Sequence, residues 1–465
     1  MANKLHFSLI MALCVFVSCS DVKKADDFRV QGQFEKAFEL YQKAANSGDA
    51  YAEWRLANAY DNGDGVDFSH DEYIKWLKKA AIDGSEEAQY DIAENTLFGR
   101  WGFEKDVDSA KAAIEELVKK SQNTYVLCRY AGYLLSENEE IEQDKDKAIS
   151  ILNKIEDIDN PYFLYLMACV YETGTDDKDI NYKKRNEYLE KAFVKGLRNS
   201  AAVLANTYRY GNDEIEKNLD LAIEWFKKGI EKNSTTCMVD LSKIYLNSSN
   251  DSTLTKYQNK DKAIELLKKA MKHGNSEAYS LMGYLYSVGE AVKKDDKKAF
   301  ELTQIAYEMN NSNAAFSLGF KYIDGVGTEK DVSKGIKVWE HAVELGNAAA
   351  ANNLYCYYYG IGFDGSFNGK NKDLEKAKIF LFKAAELKNA QACFNLARSY
   401  YFGDDIVKKD EKQAFIYAKI AADQDHPDAC NLVAYMYDNN IGCDKDPKKA
   451  QEYRDKVKPQ EKKEK

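Results

Sequence analysis

Residues 314–346 read AAFSLGFKYIDGVGTEKDVSKGIKVWEHAVELG, two amphipathic segments separated by glycines. In the first segment Ala314 is followed by Leu318, Gly319 and Tyr322, a spacing that gathers small and apolar residues on one face of a helix. Gly325 and Gly327 end that helix, and Asp331 stands where it can cap the next. The second segment carries Ile336, Trp339 and Ala342 and stops at Gly346. The stretch predicts helix, turn, helix, stop.

The same frame recurs along the chain: a small residue, an apolar one four later, Gly or Ala five later, and usually Tyr eight later. Clear copies begin at Ala52 and Ala278, and looser ones at Ala88, Val126, Phe163, Ser200, Cys237, Ala350, Ala392 and Ala429. That gives eleven copies at spacings of 36 to 42 residues. A half-copy with Phe34, Ala37, Tyr41, Ala44, Ala45 and Gly48 precedes them. Small residues let paired helices approach closely, while Leu and Tyr fill the space between them. Repetition at this period overrides the two or three globular domains that 465 residues would otherwise suggest. A 45% hydrophobic share is ample for a packed core, and four prolines point to helices instead of turn-rich β structure.

The pattern A-x3-LG-x2-Y-x2-G-x-G, followed by D, KA, an aromatic and KAA-x2-G, resembles the Sel1-like repeat, a relative of the tetratricopeptide repeat. The resemblance covers about residues 28–457 and implies an all-α fold, a right-handed α-solenoid of about eleven stacked helix-turn-helix repeats. With packed helices ~8–10 Å apart, such a stack has a contour of roughly 100 Å. First helices are expected to line its concave side. The copies at Ala88, Val126 and Cys237 lack the helix-ending glycine doublet, and the Ala350 copy carries an insert from Phe363 to Lys370.

Residues 1–19, MANKLHFSLIMALCVFVSC, place one charge, Lys4, before an apolar run from Leu5 to Val17. The run is too short to span a bilayer and has the build of a signal peptide. Phe16-Val17-Ser18-Cys19 resembles a bacterial lipobox, which implies a lipoprotein signal peptide over residues 1–18, acylation of Cys19 and a short tether over 19–27. Ordinary secretory cleavage without a lipid is the alternative. Ser20 after the lipidation site implies, by the same resemblance, the outer membrane facing the periplasm. Residues 458–465 read as a polar disordered tail.

A net charge of −10 with well-mixed signs argues against nucleic acid, whose phosphates demand a basic footprint. The histidines His70, His273, His341 and His426 fall in different repeats without metal-ligand neighbours, so neither a metal site, a cofactor nor a catalytic dyad is expected. The segment Asp61–Asp67 with Glu72 is spaced like a calcium loop, but Gly63, Gly65 and Val66 remove its ligands and turn glycine. Seven cysteines follow Cys19: Cys128, Cys169, Cys237, Cys356, Cys393, Cys430 and Cys443. They read as thiols in alanine positions. Cysteine-rich Sel1 proteins linked to β-lactam hydrolysis carry a paired cysteine in each repeat, a pattern absent here.

Tyr284, Phe320 and Tyr435 occupy the same site of their first helices, with Tyr357, Tyr359, Tyr401 and Phe402 nearby in frame. Such a stripe offers large contact area to a partner peptide or glycan; inter-repeat packing is the alternative. The sequence therefore points to a non-catalytic interaction scaffold at the bacterial cell envelope, reaching the membrane through its lipid anchor and binding a protein partner. A structural lipoprotein of an exopolysaccharide export or secretion complex and a β-lactam hydrolase are the other readings carried forward.

Overall fold

The computed structural model describes residues 20–136, 140–174, 180–247, 252–361, 369 and 371–457. These residues form helices and no β-strand, and they divide into two compact units between Met282 and Gly283. The expected leader, Cys19 and the tail lie outside them. The expected tether does not: residues 20–30 are helical, and Ala25 is fully buried against the half-copy helix Phe34–Ala45. The correction follows from Val22, Ala25 and Phe28, which share one face at helical spacing and pack in the same cluster as Tyr41 and Leu56.

Every copy of the frame is a helix pair, as Ser312–Asp324 with Val332–Glu344 and Pro427–Asn439 with Pro447–Val457 illustrate. First helices other than Ser200–Tyr210 start on side-chain caps three residues before the small residue of the frame. Asn311, Asn347 and Asn389 each accept the backbone N–H of Ala314, Ala350 and Ala392 at 2.9 Å. Second helices start the same way, on residues such as Asp331, Asp373 and Asp410. The tyrosine eight places into the frame joins the two helices through its backbone carbonyl. Tyr322 accepts from the Asp331 amide at 2.7 Å, and Tyr358 and Tyr400 accept from Asp373 and Asp410 at 2.8 Å. The frame alanines Ala52, Ala88, Ala278, Ala314, Ala350, Ala392 and Ala429 are all completely buried.

The first unit winds until its beginning meets a much later part of its own chain. Arg198 donates to both carboxylate oxygens of Asp64 at 2.7 and 2.9 Å and to Asn62 Oδ1 at 2.9 Å. His273 Nδ1 lies 3.2 Å from the Asn62 carbonyl oxygen. A Cβ on Gly274, whose φ is 70°, would lie 2.2 Å from the Phe68 ring, so this closure requires glycine there. The turn after Asp61 is therefore a clasp, not a cation loop.

In the second unit two helices approach closely at Gly319, where a Cβ would lie 2.2 Å from Trp339 Cδ1. Trp339 is buried, and its indole N–H donates to the Phe316 carbonyl at 2.9 Å, which holds the ring in place. Helix propensity alone would make Gly319→Ala stabilising by about 1 kcal/mol, whereas overpacking a fixed ring costs about 1–3 kcal/mol. Urea unfolding of Gly319→Ala is expected to show a net loss of stability. A gain would mean that the close approach does not constrain this repeat.

Candidate functional site

First helices of non-neighbouring repeats converge inside the first unit, which identifies their shared face as its concave side. The Trp54 and Tyr125 rings, two repeats apart, are 5.0 Å apart, and Tyr125 meets Tyr162 of the following repeat at 4.8 Å. This face is filled by a polar and aromatic network. Trp54 Nε1 and the Tyr125 hydroxyl donate to the two oxygens of Asp91 at 2.7 and 2.6 Å. Arg129 donates to both oxygens of Glu94, to which the Tyr133 hydroxyl also donates at 2.8 Å. Nearer the N-terminus, the Tyr41 hydroxyl donates to Asp26 at 2.6 Å, and Arg55 Nε donates to the Tyr51 hydroxyl at 2.7 Å. Sequence reading missed these residues. A signal was present: the position three after the frame's small residue reads Arg55, Asp91 and Arg129 in consecutive copies.

The same face of the second unit carries the expected aromatic stripe, with individually different surroundings. Tyr284 and Tyr435 are 52% and 50% exposed. Phe320, 37% exposed, packs edge-on against Trp339 at 4.8 Å and Phe316 at 5.1 Å. Tyr357, Tyr359 and Tyr401 are half-buried, and their rings lie against Tyr358, Tyr355 and Phe402. Burial and a hydrogen bond with Tyr435 raise the Tyr401 phenol above its ordinary pKa, so these two residues meet across one repeat step. The stripe is thus part packing and part exposed ring.

The described cysteines are free thiols, with Cys128, Cys237, Cys393 and Cys430 buried. Cys393 and Cys430 make the same contact one repeat apart, their Sγ atoms 3.7 and 3.5 Å from the carbonyl oxygens of Ala385 and Ala422. Burial pushes Cys128 and Cys237 up to about 12 and Cys169 and Cys393 up to about 11, so these thiols stay protonated and poorly nucleophilic at neutral pH. His426 caps the helix Pro427–Asn439, His341 contacts the Tyr307 hydroxyl, and His70 lies against Trp101. Among the described residues no three His, Cys, Asp or Glu side chains gather as metal ligands.

Both units are thus built from serially stacked helix pairs, the architecture of an α-solenoid repeat protein. The chain belongs to the Sel1 repeat family, whose profile matches residues 28–49, 50–85, 161–193, 199–234, 236–275, 276–311, 312–347, 342–389, 390–426 and 427–453. The pairs Glu86–Phe98/Val107–Lys120 and Thr124–Leu135/Lys145–Leu152 keep the architecture outside those matches. Family membership supports a protein–protein interaction scaffold. The chain is 22% identical over 263 residues to the chitin synthase regulator SKT5 of Saccharomyces cerevisiae, covering 56% of this chain and 33% of that protein. It is 50% identical over 50 residues to a cytochrome c oxidase assembly factor 7 homolog of Drosophila melanogaster, covering 11% and 18%. The chain therefore spans a third or less of the length of these relatives. A solved Sel1 repeat protein from Oxalobacter formigenes is 17% identical, with 78% of this chain and 91% of that chain covered at a TM-score of 0.45. A protective antigen of uropathogenic Escherichia coli displaying an SLR fold is 24% identical, with 90% and 85% covered at a TM-score of 0.40.

Asp91 supplies a pH test of the network. Burial pushes its carboxyl up to about 7, against the hydrogen bonds from Tyr125 and Trp54 that favour the ionised form. In the unfolded chain the value is about 3.9, so the folded state binds the extra proton between these limits. The contribution to stability is fully present below about pH 4 and is lost as pH rises through about 7. Urea unfolding of Asp91→Asn between pH 4 and 8 is expected to give a flatter stability profile than the parent. An unchanged slope would place the protonation elsewhere.

Proposed function

We propose that this chain is a non-catalytic adaptor whose second unit binds a protein segment on its first-helix face, held at the bacterial cell envelope through a lipid on Cys19. The supporting observation is the pair of exposed rings, Tyr284 and Tyr435, at equivalent frame positions of a face whose counterpart in the first unit is filled. Exposed tyrosines combine large apolar area with a polar tip and few rotatable bonds, which suits them to recognising an extended partner. The buried thiols and dispersed histidines favour binding over catalysis. No helix among the described residues is long and apolar enough to cross a membrane. The anchor in this reading is the acylated Cys19, with the outer membrane's periplasmic face as the site of attachment.

The test is a pull-down from detergent-solubilised envelopes with the full chain and a Tyr284→Ala/Tyr435→Ala variant. Both rings are exposed, so the variant is expected to keep the parent's helical melt. A partner enriched by the parent and reduced at least about tenfold by the variant, the scale of a single hot-spot residue, supports the docking face. Equal recovery by both proteins would refute it. In the same cells, Cys19→Ser is expected to release the protein from the membrane fraction; retention there would refute the lipid anchor.

A further inference from the structure

The first unit forms a partly open cavity of about 170 Å³ where its closure brings the start of the chain against residues 196–199 and Lys232. Of the five charged residues lining it, four are cations: Arg29, Arg55, Arg198 and Lys232. The fifth, Asp64, has both oxygens bonded to Arg198. A cavity so biased stands out in a chain of net charge −10.

The remaining cations are incompletely matched. Arg55 and Arg29 share one carboxylate, Asp26, at 3.4 and 3.8 Å, and Arg29 Nε is buried without a hydrogen-bond partner. Lys232 Nζ sits over the Phe193 ring, 4.7 Å from its centroid, and no carboxylate pairs with it among the described residues. Its pKa is lowered, by burial first and then by the charge of Arg29. Arg55 is fixed between the Tyr51 and Trp54 rings, at 4.8 and 4.5 Å, so its guanidinium is ordered in advance of any ligand. The other walls include Phe38, Tyr41, Tyr162 and Leu197, which are apolar or aromatic.

We propose that this cavity is a binding site for a small organic carboxylate. Guanidinium groups match the two oxygens of a carboxylate, and hydrogen bonds between charged partners are about twice as strong as neutral ones. The aromatic walls suit a short hydrocarbon tail. The volume is well below the roughly 300–1,000 Å³ typical of sites for drug-sized ligands, which restricts the ligand to a few heavy atoms. This site belongs to the first unit and is independent of the aromatic face of the second.

The experiment is calorimetric titration of the full chain with butyrate, 1-butanol and inorganic phosphate at constant ionic strength. Butyrate is expected to bind with a Kd of about 1 mM or tighter, within what a six-atom ligand can deliver. Butanol is expected not to bind, and phosphate to bind more weakly than butyrate. Lys232→Met keeps the apolar stem of a half-exposed residue and is expected to weaken butyrate about tenfold, the scale of one lost charged hydrogen bond. Lys232→Arg is expected to retain binding. Thermal melts of both variants without ligand check that the fold is kept. No heat with butyrate, equal binding of butanol, tighter binding of phosphate, or undiminished binding by a folded Lys232→Met would each overturn the proposal.

Discussion

One hydrogen bond, repeated along the chain, sets the geometry on which the rest depends. The carbonyl of the residue eight places into the frame, usually tyrosine, receives the amide of the residue that caps the second helix, as Tyr322 receives Asp331, Tyr400 receives Asp410 and, without the tyrosine, Thr96 receives Asp106. The same Asp331 and Asp410 side chains accept amides in the first turn of the second helix. Two helix termini that would otherwise leave polar groups unpaired are thereby satisfied together. The turn length and the antiparallel pairing are fixed at the same point. Completely buried alanines let the helices close up around it, and the tyrosine ring covers the joint, Tyr322 against Phe300 and Tyr358 against Phe380.

Because that joint recurs, what distinguishes one repeat from another is the face that the joint does not use. In the first unit this face is occupied by Asp91, Glu94, Arg129 and the surrounding tyrosines, and the closure through Arg198 and Asp64 seals one end of it. Burying so many charges is favourable only when each is paired and hydrogen-bonded; Glu94 meets that condition through Arg129, while Asp91 is hydrogen-bonded by neutral donors and is held toward its protonated form instead. At Lys232, which no carboxylate pairs with among the described residues, the condition is not met, and there a cavity remains. In the second unit the positions of Asp91 and Arg129 carry Ser317, Asn353, Asn395 and Leu432, the position of Glu94 carries Tyr284, Phe320 and Tyr435 in three copies, and those rings are left exposed. The same scaffold thus yields a face filled around Asp91 and Glu94 in one unit and exposed rings at Tyr284 and Tyr435 in the other.

The repeat frame was legible in the sequence because it depends on local contacts: Ala314, Leu318, Gly319 and Tyr322 declare their helix by spacing, and Asp331 declares the next. The pairs at Ala88 and Val126 were legible for the same reason, although they lack the glycine doublet. The aromatic stripe was legible as positions but not as surroundings, since the exposure of Tyr284 and the burial of Trp339 beneath Phe320 depend on packing between helices. The closure of the first unit was not legible. It joins Asp64 to Arg198 and Asn62 to His273 across separations that depend on the accumulated twist of many repeats, which no local pattern encodes. Residues 19–27 were read as a tether because Val22 and Ala25 have no repeat frame around them and are buried, with Phe28, only against a neighbour.

The contrast between a filled and an open first-helix face is the central claim, and tyrosine labelling tests it directly. Limited iodination of the native full chain, read by peptide mass spectrometry, compares all tyrosines in one sample. The structure predicts rapid modification of Tyr284 and Tyr435, which are 52% and 50% exposed. It predicts protection of Tyr41, Tyr90 and Tyr125 until the protein is unfolded, since Tyr41 and Tyr90 are buried and the Tyr125 hydroxyl is held by Asp91. Modification of Tyr90 and Tyr125 at the rate of Tyr284 in the folded protein would contradict the account.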